Sequence, residues 1–146
     1  MTPNDPILIR ELRRDEGVRR SPYKDTVDVN SVGVGHNLHT SPLPEGWTYP
    51  LSDAQIDELL LTDLTHVFSG LDAHAGWWRT LTYARQRVIA NMAFNMGVAG
   101  VLEFKHMIGY ITSSDFTGAA KAMLASKWAA QVGERADRLA EMMEIG

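Results

Sequence analysis

Glu16 and Asp25 are the two residues whose type and spacing point most directly to chemistry. Glu16 closes the charged run RELRRDEG, and Asp25 follows nine residues later, directly after Tyr23 and Lys24. Glycoside hydrolysis uses two carboxyl groups on opposite sides of a sugar: one protonates the departing oxygen, and the other serves the attacking water or the transition state. Leu8, Leu12 and Glu16 recur at i, i+4 and i+8, so on a helix they share one face. That face directs the Glu16 carboxyl toward packed surface. The end of a helix is also a poor place for negative charge. Both placements favour the protonated carboxyl that a general acid needs. Two plainer readings compete. Glu16 is then a solvated residue of a charged surface, and Asp25 a turn residue. Spacing by itself does not choose between them.

The third feature is S-V-G-V-G-H, Ser31 to His36. Alternate glycines weaken a strand unless a ligand or another backbone must come close. Beside a Ser and a His, they suggest a strand lining a binding cleft; the alternative is a hairpin needing unusual dihedrals. The string lacks the third Gly of a dinucleotide fingerprint and the Gly-Lys of a nucleotide loop. The five histidines do not form a metal motif. His36 and His39 fall in a loop after a strand, and His66, His74 and His106 are scattered, so no metal and no cofactor is expected. Met92, Met96, Phe94, Phe104 and Met107 recur at helical spacing and read as core, with Phe94 able to serve as wall as well. Trp77 and Trp78 read as a loop in which at least one ring packs.

The elements that must position these residues are legible in outline. Asp5 as N-cap, Pro6 at the first position and Gly17 at the end define a helix from Pro6 to Glu16. From Tyr23 to His36 the valine-rich alternation of VDVNSVGVGH predicts short strands of a hairpin sheet. A loop with three prolines runs from Asn37 to Pro50. The capping box S-D-A-Q at Ser52 opens a helix through Ile56, Leu59, Leu60, Asp63, Leu64 and Val67, ending near Gly70. Thr82 caps a further helix through Val88, Ile89, Met92, Ala93 and Met96, stopping at Gly97. Shorter helices follow: Phe104 to Ile111, Asp115 to Ala125, and Glu134 to Met143. The fold class is α+β, mainly α.

The whole chain narrows the function classes. Its 146 residues suit one domain, and 45% hydrophobic residues suffice for a substantial core. No run is apolar enough to span a membrane, and the N-terminus lacks the pattern of a secretory signal. There are no cysteines, so disulfides and thiolate chemistry are excluded. A net charge of −4 argues against nucleic acid as partner. The charge is unevenly placed. No Lys or Arg lies between Lys24 and Arg79, where eight of the 18 acidic residues fall; the flanks hold all 14 basic residues against the other ten. One face can therefore be locally positive.

Taken together, E-G-x5-Y-K-D-x5-S-x-G-x-G-H from Glu16 to His36 resembles the catalytic segment of the phage-type lysozymes. The resemblance resumes at Asn91 with N-M-A-F-N-M-G-V-A-G-V, and again from Ser126 to Arg138 with S-K-W-A-A-Q-V-G-E-R-A-D-R. It implies a lysozyme-like fold of two lobes joined by a long helix. The small lobe spans about residues 17–60, the helical lobe residues 1–16 and 61–146, all in one catalytic domain. It implies an inverting muramidase cutting the β-1,4 bond from N-acetylmuramic acid to N-acetylglucosamine in peptidoglycan. Glu16 would be the acid, Asp25 the second carboxylate, and Ser31 the group orienting water. His36 and Asn37 would lie at the base of the cleft and Phe94 and Asn95 on its far wall. Met107 would contact sugar, and Arg135 would pair with the acid. The implied setting is a monomeric endolysin that accumulates in the host bacterial cytoplasm and reaches the periplasmic wall once the membrane is permeabilised. A virion-borne lysozyme is the variant of that setting, and a glycan-binding module without catalysis is the alternative function.

Four departures from the family pattern stand out. Serine replaces the usual threonine at position 31, which frees χ1 and predicts a slower enzyme. The connection from His36 to Ser52 is short and rich in proline. The chain ends soon after the Arg135 helix. The protein is acidic where many relatives are basic.

Overall fold

The computed structural model describes residues 1–25 and 28–146. Val27, the first residue of the valine-rich string, lies outside the described residues, as does Thr26. Packing divides the chain into two compact units, Thr2–His66 and Val67–Gly146 together with Met1. Both are built as the α+β reading requires, one around a small sheet and one wholly helical.

The unit from Thr2 to His66 begins with α1 (Pro6–Glu16). Asp5 caps it through Oδ1, which accepts from the Ile7 and Leu8 amides at 3.1 and 2.9 Å. Such a cap is worth about 1 kcal/mol. Leu8 and Leu12 are completely buried, so the apolar face inferred from spacing is real. Gly17, at φ 75°, turns the chain into β1 (Arg19–Lys24). This strand begins before the valine-rich region in which strands were expected, in the polar sequence RRSPYK. It pairs antiparallel with β2 (Asn30–Gly33), which pairs in turn with β3 (His36–Asn37). Arg19 lies opposite Gly33 and Tyr23 opposite Ser31, so β1 carries a bulge between them. Pro22, which has no amide to donate, sits in that bulge.

The sheet packs on the first half of α2 (Asp53–His74). A Cβ placed on Gly33 would lie 3.6 Å from Ile56 and 3.9 Å from Leu59, which explains a small residue there. The capping box at Ser52 is formed in both directions: Ser52 Oγ accepts from the Gln55 amide, and Gln55 Oε1 accepts from the Ser52 amide. The helix runs four residues past Gly70, because the apolar positions Phe68 and Leu71 continue its buried face. Contacts place α1 in the unit of the sheet, whereas the sequence reading grouped it with the helical lobe.

In the helical unit, Trp77 and Trp78 lie not in a loop but in a 3₁₀ turn, Gly76–Thr80. Trp78 is fully buried, edge-on to Phe68 at 5.0 Å, and its Nε1 donates to Asp72 at 2.8 Å. Next comes α3 (Tyr83–Leu102), broken at Gly97 where φ is 83°, so the expected stop is a kink followed by one more helical turn. Then come α4 (Lys105–Thr112), α5 (Phe116–Leu124), α6 (Lys127–Val132) and α7 (Glu134–Ile145). The short α6 was not foreseen. Ser126 caps it by accepting from the Ala129 amide at 3.2 Å, a signal of one residue within a six-residue element.

Candidate active site

Glu16, Asp25, Ser31, His36 and Asn37 all fall in the unit of the sheet. Glu16 is the last residue of α1, and its carboxyl lies against the turn between β2 and β3. A Cβ on Gly35 would sit 2.7 Å from Glu16 Oε1 and 3.0 Å from Cδ. Gly35 has φ 62°, so both its backbone conformation and its lack of a side chain serve the same contact. This is the close approach that the alternate glycines suggested, and the group that approaches is the proposed acid.

Asp25 stands just beyond the end of β1 and is half-buried. Its Oδ1 accepts from the Val29 amide at 2.8 Å, and its own amide donates to the Val29 carbonyl at 2.9 Å. The turn-forming reading is therefore correct for this residue, and one carboxylate oxygen is held still by it. Ser31 is buried, and its hydroxyl donates to the same Val29 carbonyl at 3.2 Å. Val29 thus ties the second carboxylate to the serine.

Tyr23, which the sequence reading treated only as part of a motif, joins these groups. Its pairing with Ser31 puts the two side chains on one face of the sheet. The Arg19 guanidinium lies 5.3 Å from its ring centre. Burial, then the charges of Glu16 and Asp25, push the phenol above its ordinary value of 10.0, while Arg19 and Gly35 act in the opposite direction. The charges of both Glu16 and Asp25 reach this phenol.

His36 is anchored inward, whereas Asn37 caps its own loop. His36 is 2% exposed; Nδ1 meets Asp63 Oδ2 at 2.7 Å and Nε2 meets the Ser41 carbonyl at 2.7 Å. Burial alone would lower its pKa, but the hydrogen bond and charge of Asp63 and the Ser41 carbonyl outweigh it, so the imidazole is held above its usual 6.5. Asn37 Oδ1 accepts from the His39 and Thr40 amides at 2.8 and 3.2 Å. Asp63 was visible in the sequence as an acid on the apolar face of α2, a signal that a buried cation must meet it.

The remaining candidates belong to the helical unit. Asn95 Oδ1 accepts from Trp128 Nε1 at 2.7 Å, and the Trp128 ring stands edge-on to Phe104 at 6.1 Å. Phe94 is half-buried on α3. Met107 is 1% exposed, which makes it core as its spacing implied. A groove of about 770 Å³ opens here, lined among others by Met96, Phe104, Met107, Tyr110, Lys127 and Trp128. Arg135 is buried, with Nε and Nη2 donating to Asn91 Oδ1 at 3.0 and 2.8 Å. Asn91 and Trp128 were not singled out, although both lie inside the quoted motifs.

A wholly helical unit and a unit built on a three-stranded antiparallel sheet agree with a lysozyme-like fold. The phage lysozyme family matches residues 13–142, and the chain belongs to that family. It is 28% identical to the pre-baseplate central spike protein Gp5 of Enterobacteria phage T4 over 92% of this chain, which spans 27% of that protein's length. It is 26% and 24% identical to the probable T4-type lysozymes 1 and 2 of Dictyostelium discoideum, each match covering 92% of both chains. Membership of the family makes this a lysozyme-like peptidoglycan hydrolase.

Proposed function

We propose that this protein is an inverting N-acetylmuramidase, hydrolysing the β-1,4 bond from N-acetylmuramic acid to N-acetylglucosamine. The observation that carries this reading is the seating of the Glu16 carboxyl, at the end of α1, against the Gly35 turn, with Asp25 in the same unit. Glu16 is the general acid for the leaving oxygen. Asp25 stabilises positive charge developing on the sugar ring and draws a proton from the attacking water. The Ser31 hydroxyl donates its hydrogen bond to the Val29 carbonyl, which leaves its oxygen to accept from that water. Membership of the phage lysozyme family and likeness to a probable T4-type lysozyme support the choice of substrate.

The biological reading follows from the same kinship. The protein acts as a bacteriolytic endolysin, a monomer that builds up in the host cytoplasm and meets the wall when the membrane is opened. No helix among the described residues is long and apolar enough to cross a membrane, so access to the wall rests on another factor. Similarity to a phage spike protein favours a second setting, a lysozyme carried on the virion.

Mass spectrometry of digested peptidoglycan tests the chemistry. The expected products carry one added water and end in a reducing muramic acid, with the α-anomer appearing first by NMR. Glu16→Gln should lose nearly all clearing of permeabilised cells, a factor of about 10³ or more. Anhydro products would replace hydrolysis by a lyase reaction. Binding of glycan without any cleavage would reduce the protein to a wall-binding module.

A further inference from the structure

We propose that Val29 is a positioning residue for this hydrolysis, its backbone aiming both groups that handle the attacking water. The proposal rests on the glycosidase reading and on the rung that closes the sheet. Tyr23 pairs with Ser31 and Lys24 with Asn30, so the same register sets Asp25 opposite Val29. Residues that face each other at such a rung exchange two backbone hydrogen bonds. Half of that exchange is regular: the Asp25 amide donates to the Val29 carbonyl at 2.9 Å. The other half is diverted. The Val29 amide donates at 2.8 Å to Oδ1 of the Asp25 side chain, while the Asp25 carbonyl accepts from the Asp28 amide at 3.1 Å. A carboxylate thus takes the place of a backbone carbonyl in the sheet, and the ladder sets its direction.

The Val29 carbonyl has a second partner, the Ser31 hydroxyl, which donates to it at 3.2 Å. A serine hydroxyl has one hydrogen to donate. With that hydrogen on Val29, the Ser31 oxygen can only accept from the water, and an ionised Asp25 can only accept as well. Both hydrogens of the water are then taken, and a lone pair is left for the anomeric carbon. As the new C–O bond forms, Asp25 receives the water's proton, and the bond to the leaving oxygen, protonated by Glu16, breaks. A shift of the Val29 backbone moves both acceptors together, and catalysis is sensitive to displacements of about 1 Å. The role needs the amide and carbonyl of position 29 rather than a valine side chain, so no chemically active side chain marks it in the sequence.

An ester at position 29 tests this in the intact protein. Placing the α-hydroxy analogue of valine there removes the amide hydrogen and keeps the side chain and the Val29 carbonyl. The expected result is kcat lower by about tenfold with KM within about twofold, because the aim of the water is lost and the grip on the glycan is not. The same ester at Val88, inside α3, removes one helical hydrogen bond and is the control; kcat per folded molecule should stay at the parent's value. Hydrogen exchange supplies a readout independent of activity. Asp25→Ala should speed exchange of the Val29 amide by about tenfold. Asp25→Asn, which keeps an acceptor oxygen, should hold that exchange within about threefold of the parent although its activity is lost. A position-29 ester with the parent's kcat overturns the proposal, as does a Val29 amide that exchanges alike in the parent and in Asp25→Ala. If the parent releases no reducing muramic ends, the muramidase reading fails instead, while exchange at Val29 still decides whether Asp25 is held there.

Discussion

The two units of this chain are held together by different means. In Thr2–His66, the groups that matter are tied by hydrogen bonds: Asp25 and Ser31 to Val29, and His36 to Asp63 and Ser41. In Val67–Gly146, α7 packs on α3, α5 and α6, and the centre is apolar, with Trp78, Ile89, Met92, Met123 and Leu139 almost wholly buried. Hydrogen bonds fix direction and are lost sharply when geometry shifts, whereas apolar contact is non-directional and scales with area. Both units have a buried apolar core, and the comparison teaches that the proposed catalytic groups depend on directional contacts within the unit of the sheet. Mutations should therefore separate into those that alter rate and those that alter folding.

Trp78→Ala should give the largest effect on folding, a loss of about 3–5 kcal/mol for removing a fully buried indole. Denaturant titration measures it, and the folded fraction should keep its rate per molecule. A large fall in that rate would break the proposed division. Gly35→Ala should give the reverse pattern. Its methyl would collide with the Glu16 carboxyl in a conformation that alanine resists, so activity should fall about a hundredfold while stability drops by about 1–2 kcal/mol. Turbidity clearing and a thermal melt, run side by side, separate the two quantities.

The His36–Asp63 pair sharpens the comparison through pH. His36 is held above its ordinary value of 6.5, so the folded state binds its proton more tightly than the unfolded chain does. Its stabilisation is fully present below about 6.5 and disappears as pH rises through the elevated folded-state value. Asp63→Asn should thus cost about 1–3 kcal/mol at pH 5.5 and much less at alkaline pH. A penalty that does not change with pH would show that the pair acts by shape alone. The smallest effect is expected at Ser31. Threonine would restrict χ1 and hold the hydroxyl more firmly, raising kcat about twofold to threefold with little change in stability. A slower Ser31→Thr enzyme would mean that the buried site has no room for the methyl.

Much of the fold was legible because its signals are local. Asp5, Pro6 and Gly17 bound a helix at both ends, and Ser52 with Gln55 opens another, since a cap needs only residues within one turn of each other. What was missed had weaker local evidence. RRSPYK has no apolar alternation, and it becomes a strand because β2 supplies a partner. Six residues of α6 are too few to show a period. Gly97 was a sound stop signal, and the helix resumes beyond it because Val101 is buried on the far side.

The candidate site divides in the same way. The chain order by itself determined that Glu16 would end a helix, and it offered, among its readings, a turn at Asp25 and a close approach at the glycines of Ser31 to His36. Each depends on backbone preferences acting over a few residues. Only the tertiary structure decided that Glu16 is the group that approaches Gly35, that Tyr23 lies opposite Ser31, and that His36 is matched to Asp63. Those partners are up to 27 residues apart, and which of the many compatible groups meet depends on strand register and helix packing that no local preference specifies.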